Sequence, residues 1–137
     1  MACQYDLKKK TFEIPKIPNY SPEYEAHCIQ YVEYDNSWWI GTSNGLVRYH
    51  EDNLSLRHLY HIEDVEQTLP DNNLRCMHRV DDTMIFIGTS DGLCLLNAVD
   101  QTLNRIDLNA LTNYRSPKTD VSKIISLDEN KIMVSTY

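Results

Sequence analysis

The chain has 137 residues, 42% of them hydrophobic, with a formal net charge of -7 at pH 7. That length and apolar content fit one ordinary globular domain and argue against disorder throughout, while the acidic balance and scattered Lys and Arg exclude a surface that tracks nucleic-acid phosphates. The one basic run, Lys8-Lys9-Lys10, leads into Thr-Phe-Glu-Ile-Pro with no apolar signal region, and no apolar stretch approaches the roughly 18 residues of a membrane span.

In chain order, Ala2 to Ile14 reads as two strands. Tyr20-Ser21-Pro22-Glu23-Tyr24-Glu25 resembles a helix start, with Ser as cap and Pro at the first helical position. Cys28 to Tyr60 then supplies four strands. The first alternates and ends in the turn Asp35-Asn36, where short polar side chains bond their own backbone. The second, Trp38-Trp39-Ile40-Gly41-Thr42, is apolar at consecutive positions, as a strand covered on both faces should be. Asn44-Gly45 predicts a hairpin in which both turn residues accept positive φ, leading into Leu46-Val47-Arg48-Tyr49 and, after a polar turn, Leu54 to Tyr60. His61 to Gln67 is helix-compatible and falls in a connection expected to hold one helical turn.

The same unit then returns. Leu74 to Ile106 repeats the four strands, with Asp82-Thr83 as first turn, Phe86-Ile87-Gly88-Thr89 in the second strand and Asp91-Gly92 as hairpin. Val121 to Tyr137 gives the first two strands of another copy around Asp128-Glu129-Asn130, with Ser135 in the place of the glycine. Thr42, Thr89 and Thr136 stand 47 residues apart. Four antiparallel strands in a unit of this length predict a β-propeller blade. The fold class is therefore all-β, a partial β-propeller of about three four-stranded antiparallel blades, two whole and two half. The blade limits are 1–14 (end of a blade), 27–60, 74–106 and 120–137 (start of a blade). Closed propellers typically have four to eight blades. The chain is thus expected to be a piece of a longer propeller whose open flanks, if alone, pair with another copy or aggregate. Gly41 and Gly88 are expected to permit close approach of backbone.

Four cysteines, Cys3, Cys28, Cys76 and Cys94, show no CxxC spacing. Cys28 and Cys76 occupy one repeat position, and Cys3 and Cys94 another that Val47 shares, so they read as small buried hydrophobes. Five histidines, His27, His50, His58, His61 and His78, give no ligand set: His58 and His61 point to opposite faces of a strand. No nucleophile elbow or triad is present. Neither metal, cofactor nor catalytic residue is expected.

Trp39-Ile40-Gly41-Thr42, Gly45-Leu46, Arg48-Tyr49 and the following Leu69-Pro70-Asp71-Asn72-Asn73-Leu74 resemble the two-component regulator propeller repeat of the periplasmic sensor region of hybrid histidine kinases from gut Bacteroidetes. The second copy keeps Phe86-Ile87-Gly88-Thr89 and Gly92-Leu93 but has Leu95-Leu96 where Arg-Tyr is usual; the third keeps only Ser135-Thr136. The resemblance implies a non-enzymatic piece of a periplasmic sensor that detects oligosaccharides and regulates glycan-use genes. It also implies that kinase, membrane helix and DNA-binding parts lie elsewhere in the parent. A protein-interaction propeller and a polysaccharide lyase or hydrolase propeller are the alternatives.

Ligand contacts are expected on loops at one end of the blades. The connections into each first strand and the second hairpin gather Asn44, Asp91, Asn72, Asn73, Arg75 and His27 at the channel mouth. Trp38, Tyr31 and Arg79 join as aromatic platform and planar polar group for a sugar, according to how each strand faces. Asn44 and Asp91 also have a turn to make. The expected partners are an oligosaccharide and either another copy or the rest of a propeller, with no nucleic acid and a membrane only through parent segments.

Overall fold

The computed structural model describes residues 4–13, 25–111 and 119–136. Strands β1 (Gln4–Asp6) and β2 (Thr11–Glu13) form a two-stranded sheet. β3 (Ala26–Val32), β4 (Ser37–Thr42), β5 (Gly45–His50) and β6 (Ser55–Leu59) form a four-stranded meander. β7 (Leu74–Arg79), β8 (Met84–Thr89), β9 (Gly92–Asn97) and β10 (Thr102–Ile106) form a second. After one helical turn, α1 (Leu108–Leu111), β11 (Val121–Asp128) pairs with β12 (Lys131–Thr136). All pairings are antiparallel. The first strands β3, β7 and β11 lie side by side, so successive sheets face each other around a common axis. This is a partial β-propeller.

The core lies between the sheets. Trp39, Leu46 and Val32 of the first blade meet Leu74, Ile85, Ile87, Cys94, Leu96 and Leu103 of the second. On the second blade's other face, Leu93, Phe86 and Cys76 meet Val121, Ile124 and Val134. Trp39 and Phe86 hold the same place in the repeat. Beside Trp39 the guanidinium of Arg48 sits 5.7 Å from the ring centroid and donates to Asp35 at 2.6 Å. Burial acts to raise the pKa of the Asp35 carboxyl. The Ser37 hydroxyl and Arg48 outweigh it and hold the group below its ordinary value. In the second blade Leu95 takes the arginine's place.

The hairpin between second and third strands differs from the expected geometry. Only the glycines are left-handed, Gly45 at φ 102° and Gly92 at 125°; Asn44 and Asp91 are not. The threonine hydroxyl explains why. Thr42 Oγ1 accepts from the Asn44 amide at 3.0 Å and donates to the Gly45 carbonyl at 2.8 Å, and Thr89 does the same for Asp91 and Gly92. Threonine bonding back to the turn holds the first two residues, so positive φ is needed only at the glycine. Gly-Thr-x-x-Gly is a stapled turn.

Gly41 and Gly88 admit side chains rather than backbone. A Cβ at Gly88 would lie 2.5 Å from Val121 Cγ1 and 2.7 Å from Cys76 Sγ; at Gly41 it would lie 2.4 Å from Cys28 Sγ and 3.1 Å from Leu74. Each cysteine thus fills space its opposite glycine leaves, and burial pushes the Cys28 and Cys94 thiols up to about 12 and Cys76 in the same direction. They behave as hydrophobes, and Cys28, Cys76 and Cys94 are unbridged. Cys3 lies outside the described residues, as does Tyr20 to Tyr24.

His61 to Gln67 forms turns instead of a helix, because Asp64 is left-handed at φ 58° and Thr68 Oγ1 takes the Ile62 amide at 3.1 Å. The helical turn falls in the next connection, where Asp107 Oδ1 caps the Asn109 and Ala110 amides at 3.0 and 3.1 Å.

Gly88→Ala should destabilise the chain by about 2 kcal/mol through overpacking, and adding Val121→Ala should return part of the loss. Urea unfolding of both variants measures this; an unchanged midpoint for Gly88→Ala would refute the tight glycine seat.

Candidate functional site

Two groups of residues emerge at opposite ends of the blades. The strand starts and the Gly-Thr-x-x-Gly turns share one end, the one expected from the sequence to be the mouth, with His27, Asn44, Asn72, Asn73, Arg75 and Asp91. Tyr31, Trp38 and Arg79 lie at the far end, so they do not join the first group.

A bulge positions two of the mouth residues. In β3 the register slips between Ala26 and Cys28, in β7 between Leu74 and Cys76, in β11 between Val121 and Lys123. The extra residues are His27, Arg75 and Ser122. A bulge re-aims its side chain, and both long ones reach the next blade. His27 Nδ1 lies 2.7 Å from the Leu74 carbonyl, and Arg75 donates to Asp120 Oδ2 at 3.1 Å with its side chain 42% exposed.

Asn72 and Asn73 serve the connection through their backbone. The Asn72 carbonyl accepts from the Gly45 amide at 2.6 Å and the Asn73 carbonyl from Ser90 at 2.9 Å, while Asn72 Oδ1 accepts from the His61 amide at 2.7 Å. The Asn73 side chain is different. Its Oδ1 is buried and has no donor among the described residues, and Asp120 Oδ1 is in the same position. Asn73 and Asp120 are equivalent in successive units, each just ahead of a first strand. This end therefore holds two buried acceptors that lack a donor among the described residues, and exposes one part-covered guanidinium. Asp91 is spent on the connection, its Oδ1 accepting from the Thr119 amide at 3.0 Å.

At the far end Tyr31 and Trp38 pair across β3 and β4 with ring centroids 4.6 Å apart. Trp38 Nε1 donates to Glu51 at 2.6 Å and the Tyr31 hydroxyl to Asn36 at 2.9 Å. Burial first, then the charges of Glu51, Asp52, Glu33 and Asp35, raise the Tyr31 pKa. Arg79 lines a shallow cleft of about 270 Å³ with Glu33, Tyr34 and Asp82 and is engaged by Asp82 at 2.9 Å and the Asp81 carbonyl at 2.9 Å.

A larger open cleft of about 760 Å³ lies between the 61–71 connection and β10, lined by His61, Glu63, Glu66, Asp71, Asp91, Arg105 and Asp107 among others. The sequence reading passed over Arg105. Its guanidinium donates to the carbonyls of Thr68, Ile62 and Leu69 at 3.0, 2.9 and 3.0 Å, tying the connection to the second blade. His61 completes this clamp, with Nδ1 on the Leu69 carbonyl at 2.7 Å and Nε2 on Glu63 at 3.1 Å. Only a strand arginine where the first blade carries His58 could have signalled it. Among the described residues no group of three or more His, Cys, Asp or Glu is arranged to hold a metal ion. None of their helices is long and apolar enough to cross a membrane.

The same architecture occurs in solved proteins. The extracellular domain of a protein assigned as the hybrid two-component system BT4673 of B. thetaiotaomicron matches 98% of this chain with a TM-score of 0.74 at 19% identity. The corresponding domain of BT3049 from the same organism matches 91% with a TM-score of 0.69 at 13% identity. The chain shares their fold. It spans only 17% and 18% of the length of those two domains. No family model matches the chain, and no curated protein does.

The Leu69 carbonyl and then Glu63 raise the His61 pKa against the effect of its burial and of Arg105. The protonated ring is therefore favoured by folding. Its stabilisation of the 61–69 turn is full below the unfolded value of about 6.5 and is lost as pH rises through the raised folded value. Amide exchange at Val65 and Thr68 should speed up across that rise beyond the intrinsic pH effect, and His61→Gln should abolish the excess; a His61 ring that titrates below the ordinary value by NMR would contradict it.

Proposed function

We propose that the chain is a non-enzymatic segment of the extracytoplasmic sensor propeller of a hybrid two-component histidine kinase, periplasmic in location, that takes part in binding an oligosaccharide and so controls glycan-use genes. The observation that carries the reading is the match of nearly the whole chain to extracellular domains of two-component systems. The seat favoured for the ligand is the channel mouth. Sugar hydroxyls are donors as well as acceptors, and a hydroxyl that reaches the buried Asn73 Oδ1 or Asp120 Oδ1 would satisfy an acceptor that the described residues leave unmet. Arg75 supplies a planar donor beside them. Far-end Trp38 offers an aromatic face, yet its indole N–H is already held by Glu51, which favours the mouth.

Calorimetry of the ectodomain that contains this segment, across a panel of oligosaccharides, tests the reading. One glycan class should bind, Asn73→Ala should weaken it about tenfold through loss of a hydrogen-bond acceptor, and Trp38→Ala should change it little. Absence of binding to every glycan would overturn the sensing proposal. Loss on Trp38→Ala with none on Asn73→Ala would move the seat to the far end.

A further inference from the structure

The sequence has one Asn-Gly pair, Asn44-Gly45, and it sits in the stapled turn between β4 and β5. Asparagine followed by glycine is the pair most open to spontaneous cyclisation, because no Cβ shields the next backbone nitrogen. That nitrogen, once deprotonated, attacks Cγ of the asparagine: a C–N bond forms, the side-chain nitrogen leaves as ammonia, and a succinimide remains. Water then opens the ring at one of its two carbonyls. Opening at Cγ leaves aspartate in an ordinary chain, whereas opening at the backbone carbonyl leaves isoaspartate, whose chain runs through the side-chain carbon. Asn44 is exposed, so solvent reaches the electrophile. The nucleophile is held.

Gly45 is buried, and its amide donates to the Asn72 carbonyl at 2.6 Å, across the junction between the two four-stranded sheets. A hydrogen bond made by the neutral N–H opposes loss of its proton. The turn is fixed as well, since Thr42 Oγ1 accepts from the Asn44 amide at 3.0 Å and donates to the Gly45 carbonyl at 2.8 Å. Cyclisation therefore waits for the junction bond to open. The second blade shows what each product does to the turn. There the residue in the place of Asn44 is already an acid, Asp91, in the same staple on Thr89. Its Oδ1 accepts from the Thr119 amide at 3.0 Å while the Gly92 amide donates to the Thr119 carbonyl at 2.6 Å. Asn72 stands where Thr119 stands, so aspartate at 44 fits the blade unchanged. Isoaspartate adds one backbone carbon between the Asn44 amide and the Gly45 carbonyl, the two groups that Thr42 Oγ1 spans, so the staple and the junction bond cannot both form.

We propose that Asn44 is a spontaneous deamidation site gated by the blade junction: it is protected while the Gly45 amide stays on the Asn72 carbonyl, and its isoaspartate product holds the junction open. Water is the only co-reactant and ammonia the only leaving group. Local opening of one junction sets the rate, in the way that local opening sets the exchange of a protected amide.

Peptide-mapping mass spectrometry of the ectodomain that contains this segment, aged at mildly alkaline pH, tests the gate. Deamidation at Asn44 should run about a hundredfold slower in the folded protein than in urea at the same pH, and hydrogen exchange at the Gly45 amide should be retarded by a similar factor. Thr42→Val, which removes the staple, should raise both rates about tenfold. Asn44→Asp should leave exchange at Gly45 unchanged, while the isoaspartate form separated from aged protein should exchange there about tenfold faster or more. Deamidation as fast in the folded protein as in urea would overturn the proposal. So would a folded Thr42→Val variant that deamidates at the original rate, or an isoaspartate form whose Gly45 exchange is unchanged.

Discussion

The amide of a left-handed glycine donates across each blade junction, Gly45 to the Asn72 carbonyl and Gly92 to the Thr119 carbonyl, at 2.6 Å in both. The serine two residues earlier donates within its own blade, Ser43 to Glu25 and Ser90 to Asn73. Adjacent carbonyls, Asn72 and Asn73, are therefore stitched to adjacent blades. One such bond contributes only about 1 kcal/mol net, while leaving a buried partner unmet costs about 1–3 kcal/mol. The turn must then sit at a fixed height above the next first strand, which sets the spacing of the sheets.

That spacing accounts for the composition beneath it. Sheets held this close leave no room for a Cβ on the second strand where Leu74 or Val121 arrives from the next blade. Glycine at 41 and 88 answers this. The gap it leaves on its own sheet is filled from β3 or β7 by cysteine, small and apolar enough to be buried with its proton on. Arg48 is the first blade's own addition. It covers the large face of Trp39 and needs Asp35 as counter-charge; where the ring is Phe86, Leu95 suffices.

Much of this fold was legible because its causes are local. Alternation, the Asp-containing turns and Gly-Thr-x-x-Gly at a 47-residue period depend on residues close in sequence, and they place the strands. The turn was misjudged in detail because the Asn-Gly and Asp-Gly pairs were weighed without the threonine whose hydroxyl bends the chain first. The helical turn was sought in the wrong connection, although Asp107 ahead of Leu-Asn-Ala-Leu is a readable cap. The bulges at His27 and Arg75 were not legible, since an inserted residue in a strand leaves no compositional mark. Nor was the Arg105 clamp, whose acceptors are backbone carbonyls 36 to 43 residues away: carbonyls carry no residue identity.

The bulges bear on how a ligand at the mouth would act. His27 and Arg75 belong to one blade by sequence but spend their side chains on the next, and Asn73 stands on a connection bonded to both. A group that draws Arg75 away from Asp120, or that donates to Asp120 Oδ1, changes the balance of a blade junction as it binds. The part of the molecule that could close on a ligand is small, because the turns there are stapled by Thr42 and Thr89. A ligand seated there would therefore act more readily on the junction between neighbouring blades than by loop closure, because the contacts it would meet are the ones that join one blade to the next.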